Sequence, residues 1–169
     1  KHYDNEKVSK IIGVDPSKEL NTIAKKRADS KELDIEFLIE SASNLSVDSE
    51  SIDTVVSTYV LCSIPEPNKT LQEIKRVLKP GGKLLVLEFS KPPNTLLSKI
   101  YDGYSFNVLP KLGKLFANDA DSYQYLAESI RMHPDQETLQ SMMDNAGFAN
   151  TDYHNMTGGI VALHRGVKP

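Results

Sequence analysis

Residues 76–90 read RVLKPGGKLLVLEFS, and this stretch decides the fold class. Leading into it, Leu71, Ile74, Val77 and Leu78 recur at helical spacing, which predicts an amphipathic helix over 68–79. Pro80-Gly81-Gly82 reads as its stop, because proline cannot continue the ladder and glycine accepts left-handed dihedrals. The run 83–89, KLLVLEF, is the most apolar in the chain and predicts a central, buried strand.

Working outward, the same grammar repeats. Upstream, 53–57 (DTVVS) is rich in β-branched residues, and 35–39 (IEFLI) and 11–15 (IIGVD) are short apolar runs; all three predict strands. Leu20, Ile23, Ala24 and Ala28 give 17–29 one apolar helical face. Downstream, 94–132 is aromatic-rich and predicts one or two helices, and 135–146 predicts a last helix ended by Gly147. Strands at 149–155 and 159–166 flank Thr157-Gly158-Gly159, the signal of an antiparallel hairpin. Strands alternating with helices imply βαβ crossovers, hence a single α/β domain over 1–169 with a mostly parallel sheet covered on both faces.

Composition narrows the function classes. Twenty basic against 23 acidic residues give a net charge of −3 with no basic block, so nothing favours nucleic acid. One cysteine, Cys62, cannot form an internal disulfide and excludes a thiolate-rich metal site; no metal is expected. No apolar run approaches the ~20 residues of a membrane span.

In such sheets ligands bind at the carboxyl ends of the strands. Asp15 ends the first run, where a carboxylate can accept from both ribose hydroxyls of a nucleotide, or equally make a turn before Pro16. Ser41-Ala42 and Ser57-Thr58-Tyr59 follow the next two strands and are more often plain loop residues. Glu88, inside an apolar strand, needs a partner: it either holds a loop or lines a substrate cleft. A glycine-rich turn between first strand and first helix, which lets backbone approach a nucleotide cofactor, is absent; Gly81-Gly82 and Gly158-Gly159 stand in other contexts.

The run 76–90 resembles the signature of the ubiquinone/menaquinone biosynthesis C-methyltransferases, a family of S-adenosylmethionine (SAM) dependent enzymes with a Rossmann-like sheet. Tyr101-Asp102, Tyr104-Ser105-Phe106, the run 117–123 (ANDADSY), 128–139 (ESIRMHPDQETL) and 158–166 (GGIVALHRG) extend the likeness nearly continuously from residue 76. Residues 11–75 resemble SAM methyltransferases more generally.

The resemblance implies methyl transfer from SAM to a ring carbon of a polyprenyl benzoquinol or naphthoquinol, a lipid-like substrate met in the cytoplasm or at the membrane surface. It maps Asp15 onto the ribose-binding acid, Ser41 and Ala42 onto the pair near adenine, and Thr58 onto a cofactor-side hydroxyl. Arg131 and His133 become substrate-side candidates, and the tyrosines of 94–133 either cover the substrate or pack on the sheet. Three departures stand out. The family's first strand and glycine-rich SAM loop are missing, Ser41 replaces the usual Asp or Asn, and Cys62-Ser63 replace the usual Arg-Asn. The departures keep open a SAM methyltransferase for another small molecule, and a non-catalytic partner protein. Without the first strand, two strand edges should lack partners, so the chain is expected to fold poorly alone, unless another chain fills the gap through those edges or the flanking strands close it.

Overall fold

The computed structural model describes residues 8–30, 34–93 and 128–169. The expected helices of 94–127, with Tyr101, Tyr104, Phe106, Tyr123 and Tyr125, lie outside the described residues. Two compact units form, Lys1–Val47 and Asp48–Pro169.

In the first unit, β1 (Ile11–Val14) and β2 (Ile35–Leu38) pair in parallel, Ile11 opposite Ile35 and Val14 opposite Leu38. The crossover is α1 (Lys18–Asp29). Ser17 caps it, its Oγ accepting the Leu20 N–H at 3.2 Å. Asn21, buried in the first turn, donates to the Asp15 and Ser17 carbonyls at 2.7 and 2.9 Å, fixing the strand-to-helix turn. Gly13 sits at a close approach: a Cβ there would lie 3.0 Å from Cδ1 of Phe37, so the ring would have to give.

The second unit is a four-stranded sheet ordered β3-β4-β6-β5. β3 (Ile52–Thr58) and β4 (Leu78–Phe89) run parallel, joined through α2 (Pro67–Val77). After α3 (Gln136–Asn145), β5 (Ala149–Met156) and β6 (Val161–Val167) form the expected antiparallel hairpin, and β6 also pairs antiparallel with β4. β4 therefore lies between two partners, as its composition required. Gly147 ends α3 with φ +87°: its N–H bonds to the Asp144 carbonyl and that of Phe148 to the Met143 carbonyl, so two otherwise orphaned carbonyls are satisfied. Leu71 and Ile74 of α2 and Leu139 and Met143 of α3 form one buried cluster with Leu84 and Val86 of β4.

One boundary differs from the sequence reading. The helix stops at Val77, ahead of Pro80-Gly81-Gly82, and those three residues belong to the start of β4. Leu78 is already extended (φ −67°, ψ 141°), pairs with Ile52 and is fully buried. Lys79, preceding a proline, is biased against helix as well. The register then jumps, Ile52 facing Leu78 but Thr54 facing Lys83, and Pro80-Gly81-Gly82 takes up the extra residues. Gly81 N–H and Gly82 C=O bond to Lys168 C=O and N–H at 2.8 and 2.9 Å, tying this bulge to the chain beyond β6.

Among the described residues β1 pairs only with β2, and β3 only with β4.

Candidate functional site

The carboxyl ends of the parallel strands carry the polar groups that the sequence singled out. In the first unit Asp15 follows β1. Its Oδ1 accepts the Ser17 N–H at 2.8 Å, the turn role, while Oδ2 carries no hydrogen bond among the described residues. The turn reading of Asp15 is therefore observed: one oxygen fixes the turn, and the other makes no hydrogen bond among the described residues. Ser41 and Ala42 follow β2 in a loop in which Ser41 Oγ accepts the Ser43 N–H at 3.3 Å. Glu40, Ser41, Asn44, Leu45 and Ser46 line a shallow, open hollow there. Glu40 does not face it freely, because its Oε2 accepts the Ser46 N–H at 2.8 Å; the Ser46 side chain and then this backbone bond hold its carboxyl below the usual range.

In the second unit Thr58 closes β3 and is exposed. The chain then turns sharply. Tyr59 has φ +55°, and its N–H bonds to the Leu87 carbonyl at 2.9 Å. The next two N–H groups, of Val60 and Leu61, both bond to Glu88 Oε1, at 2.6 and 2.7 Å. This answers the question posed by Glu88: its first task is to hold the loop after β3. Its other oxygen, Oε2, is buried without a hydrogen-bond partner. Burial drives its carboxyl above the usual range, against the two backbone donors that favour the anion. Cys62 sits in the 3-10 turn Leu61–Ser63, and burial, followed by the Glu88 charge, pushes its thiol up to about 11.

Beyond β4, buried polar groups gather. Gln136, first residue of α3, donates through Nε2 to the Lys91 carbonyl at 3.0 Å and to Asn155 Oδ1 at 2.9 Å. Its own carbonyl meets His164 Nε2 at 2.9 Å, so that nitrogen bears the proton. Arg131 is exposed in the helical segment 128–132. His133 is only 5% exposed, and neither ring nitrogen has a partner. Burial, then His164, then Lys91 hold its pKa down to about 4, so it is neutral at pH 7 and able both to donate and to accept.

Sequence reasoning missed Ser90, Gln136 and His164 as members of these polar ends, and read Tyr59 as a plain loop residue. The alternation of buried positions along β4 could have found Ser90, because it faces the same side as Glu88. The positive φ of Tyr59 carried no local signal, since the turn that follows it is held by a carboxylate 28 residues from Val60.

Among the described residues no group of three or more His, Cys, Asp or Glu could hold a metal, and no helix is long and apolar enough to cross a membrane. The polar groups at the β1 and β2 ends, an acceptor carboxylate oxygen and a small polar loop, have the chemistry to take a neutral, hydroxylated group.

Comparison with known proteins places the chain in a family. The model of the ubiE/COQ5 methyltransferase family matches residues 2–168. A ubiquinone/menaquinone biosynthesis C-methyltransferase UbiE of Cellvibrio japonicus is 61% identical over 128 residues, 76% of this chain and 51% of that protein. The UbiE of Vibrio vulnificus is 58% identical over 134 residues, 79% of this chain and 52% of that protein. The chain thus spans about half the length of the curated relatives it matches. Among solved structures, a SAM-dependent methyltransferase of Thermotoga maritima superposes with a TM-score of 0.67 at 23% identity, over 94% of this chain and 73% of that one. A Haemonchus contortus phosphoethanolamine N-methyltransferase 2 in complex with S-adenosyl-L-methionine gives 0.68 at 17% identity, over 95% and 43%. These likenesses establish the α/β, Rossmann-like methyltransferase fold.

Proposed function

The chain belongs to the ubiE/COQ5 methyltransferase family, and from that premise we propose that it serves SAM-dependent C-methylation of a polyprenyl benzoquinol or naphthoquinol in ubiquinone/menaquinone biosynthesis. The observation that carries the reading is the family match over 2–168, joined to an open carboxylate oxygen on Asp15 at the end of β1.

When bound, SAM supplies the electrophilic methyl of its sulfonium. The tasks of this chain are to position and to move a proton. Asp15 takes the ribose hydroxyls, Ser41 and Ala42 border the adenine, and Thr58 offers a hydroxyl on the cofactor side. Carbon methylation requires an electron-rich ring, which hydrogen bonding or deprotonation of a ring hydroxyl provides. His133, neutral and with both nitrogens free of partners, suits a ring hydroxyl, with Arg131 as a second substrate-side group. The chain works in the cytoplasm, meeting its lipid-like substrate at the membrane surface. The edges of β1 and β3 that have no strand partner among the described residues are where it associates with a further strand.

One observation favours a second reading, a SAM methyltransferase for another small molecule. Cys62-Ser63 replace an Arg-Asn pair, and the Cys62 thiol stays protonated at neutral pH, so no cation stands there to organise an oxyanion.

Calorimetric titration of S-adenosylhomocysteine into the 169-residue chain tests the cofactor half of the proposal. Asp15→Asn keeps an acceptor for Ser17 while removing the charge, and Asp15→Ala removes both. Saturable binding, weakened about tenfold or more in each, is expected. No binding by a folded chain defeats the proposal. Mass spectrometry of quinols from a quinone-deficient host expressing the chain separates the quinol substrate from another small molecule.

A further inference from the structure

Four non-glycine residues have positive φ among those described: Glu50, Tyr59, Asn150 and Thr157. Tyr59 is the aromatic one, and a bulky side chain in this region is an outlier that persists only when its surroundings enforce it. The enforcement is visible. The Tyr59 N–H is held by the Leu87 carbonyl, and the next two N–H groups by the fully buried Glu88 carboxylate. Three hydrogen bonds to neighbouring residues of β4 therefore fix one strained turn. Asparagine or glycine would relax that turn without altering its hydrogen bonds.

The strained residue keeps its ring in the open. Tyr59 is 44% exposed, and its ring lies against Phe89 with centroids 4.6 Å apart and planes tilted by 41°. The two residues stand at the carboxyl ends of adjacent parallel strands, the side on which ligands bind in such sheets. An aromatic pair at that place, with Tyr59 exposed and held in strain and Phe89 half-buried beside it, offers a third ring offset-stacked or edge-to-face contact. The phenol adds a donor and acceptor at the rim.

We infer that Tyr59 and Phe89 form a specificity-determining platform for a planar, hydroxylated aromatic ring, with Glu88 as the positioning residue that holds Tyr59 in place. That the ring is a quinol rests on the function proposed above.

The test uses decylhydroquinone as the ring-bearing probe and decanol as the ringless control, each titrated into the purified chain by calorimetry. Tyr59→Leu and Phe89→Leu should weaken decylhydroquinone binding about fivefold to tenfold, with decanol unchanged. Tyr59→Phe should stay within about threefold of the parent. Tyr59→Asn guards against a folding artefact, because asparagine tolerates this backbone: it should melt no lower than the parent and still lose the ring probe. If the parent binds decylhydroquinone and Tyr59→Asn binds it equally well, the platform is overturned while the quinol reading stands. If both probes weaken alike, the surface is merely greasy and the platform is again overturned. If the parent binds S-adenosylhomocysteine but no decylhydroquinone, platform and quinol reading fall together.

Discussion

Glu88 in β4 accepts the backbone N–H of Leu61 at 2.7 Å across 27 residues of chain, and the Val60 N–H at 2.6 Å through the same oxygen. One side chain thereby orders the end of another strand. Glu88→Ala leaves both donors without their acceptor in a region where Leu61 is buried. At ~1–3 kcal/mol for each of the two unsatisfied groups, urea denaturation should show a loss of roughly 2–6 kcal/mol. Glu88→Gln retains a carbonyl acceptor and should lose less. It should also change the pH dependence. The buried carboxyl is raised above 4.5, so the unfolded chain releases this proton first and stability falls as pH rises beyond that point. A neutral amide lacks that loss, so the gap between Glu88→Gln and the parent should narrow from pH 5 to pH 8.

Cys62 provides an independent probe of the same corner. With its thiol pushed up to about 11, the thiolate fraction at pH 8 is about two orders of magnitude below that of an unperturbed cysteine. Iodoacetamide should therefore label the native chain slowly, and urea should release fast labelling. Glu88→Gln removes the second-largest cause and should speed native labelling. Labelling of the native parent at the rate of a free thiol would contradict this account.

How much of this was legible beforehand depended on the distance over which each feature is determined. β1, α1, β3 and the closing hairpin are written in local periodicity and caps, and they lie within a residue or two of the sequence reading. The end of α2 was misplaced because Leu78 gains more from full burial opposite Ile52 than from one further helical turn, a tertiary gain that no local pattern shows. Asp15 was legible as a position, but its two roles separate only when Ser17 is seen to occupy one oxygen. From its own surroundings in the sequence His133 was a histidine before a proline, and only the resemblance made it a substrate-side candidate. Its burial with two unpartnered nitrogens depends on packing.

Gly82 tests the bulge that replaced the expected helix stop. It needs no special φ, yet a Cβ there would lie 2.7 Å from the Lys79 carbonyl oxygen, 3.1 Å from Leu78 Cδ2 and 3.3 Å from the Asp53 carbonyl oxygen. Two of the three obstacles are backbone and cannot rotate away. Gly82→Ala should cost about 1–3 kcal/mol, as overpacking does. Gly81→Ala meets no atom within 4 Å, and its penalty comes from φ +76° alone. That substitution should cost about 1 kcal/mol and leave the Gly82 hydrogen bond to Lys168 intact. Thermal melts of the two variants separate crowding from backbone strain.

His133 sets the acid limit of the second unit. Unfolded, it titrates near 6.5; folded, burial, His164 and Lys91 hold it near 4. Between those values the unfolded chain binds a proton that the folded chain refuses. Stability contributed by the neutral ring is thus complete above pH 6.5 and is lost as pH falls towards 4, a loss of roughly 3 kcal/mol. His164 adds to the slope in the same direction, since burial lowers it too, although its bond to the Gln136 carbonyl resists the change. His133→Leu removes both unpartnered nitrogens and the titration together. At pH 7.5 the variant should be at least as stable as the parent, because replacing an unsatisfied polar group by an apolar one of similar shape relieves a desolvation cost. At pH 5 it should be clearly more stable, with the residual slope belonging to His164. Urea denaturation at pH 7.5, 6 and 5 reads both effects. Should parent and variant lose stability in parallel over that range, His133 is not the titrating group, and its nitrogens must find partners in solution.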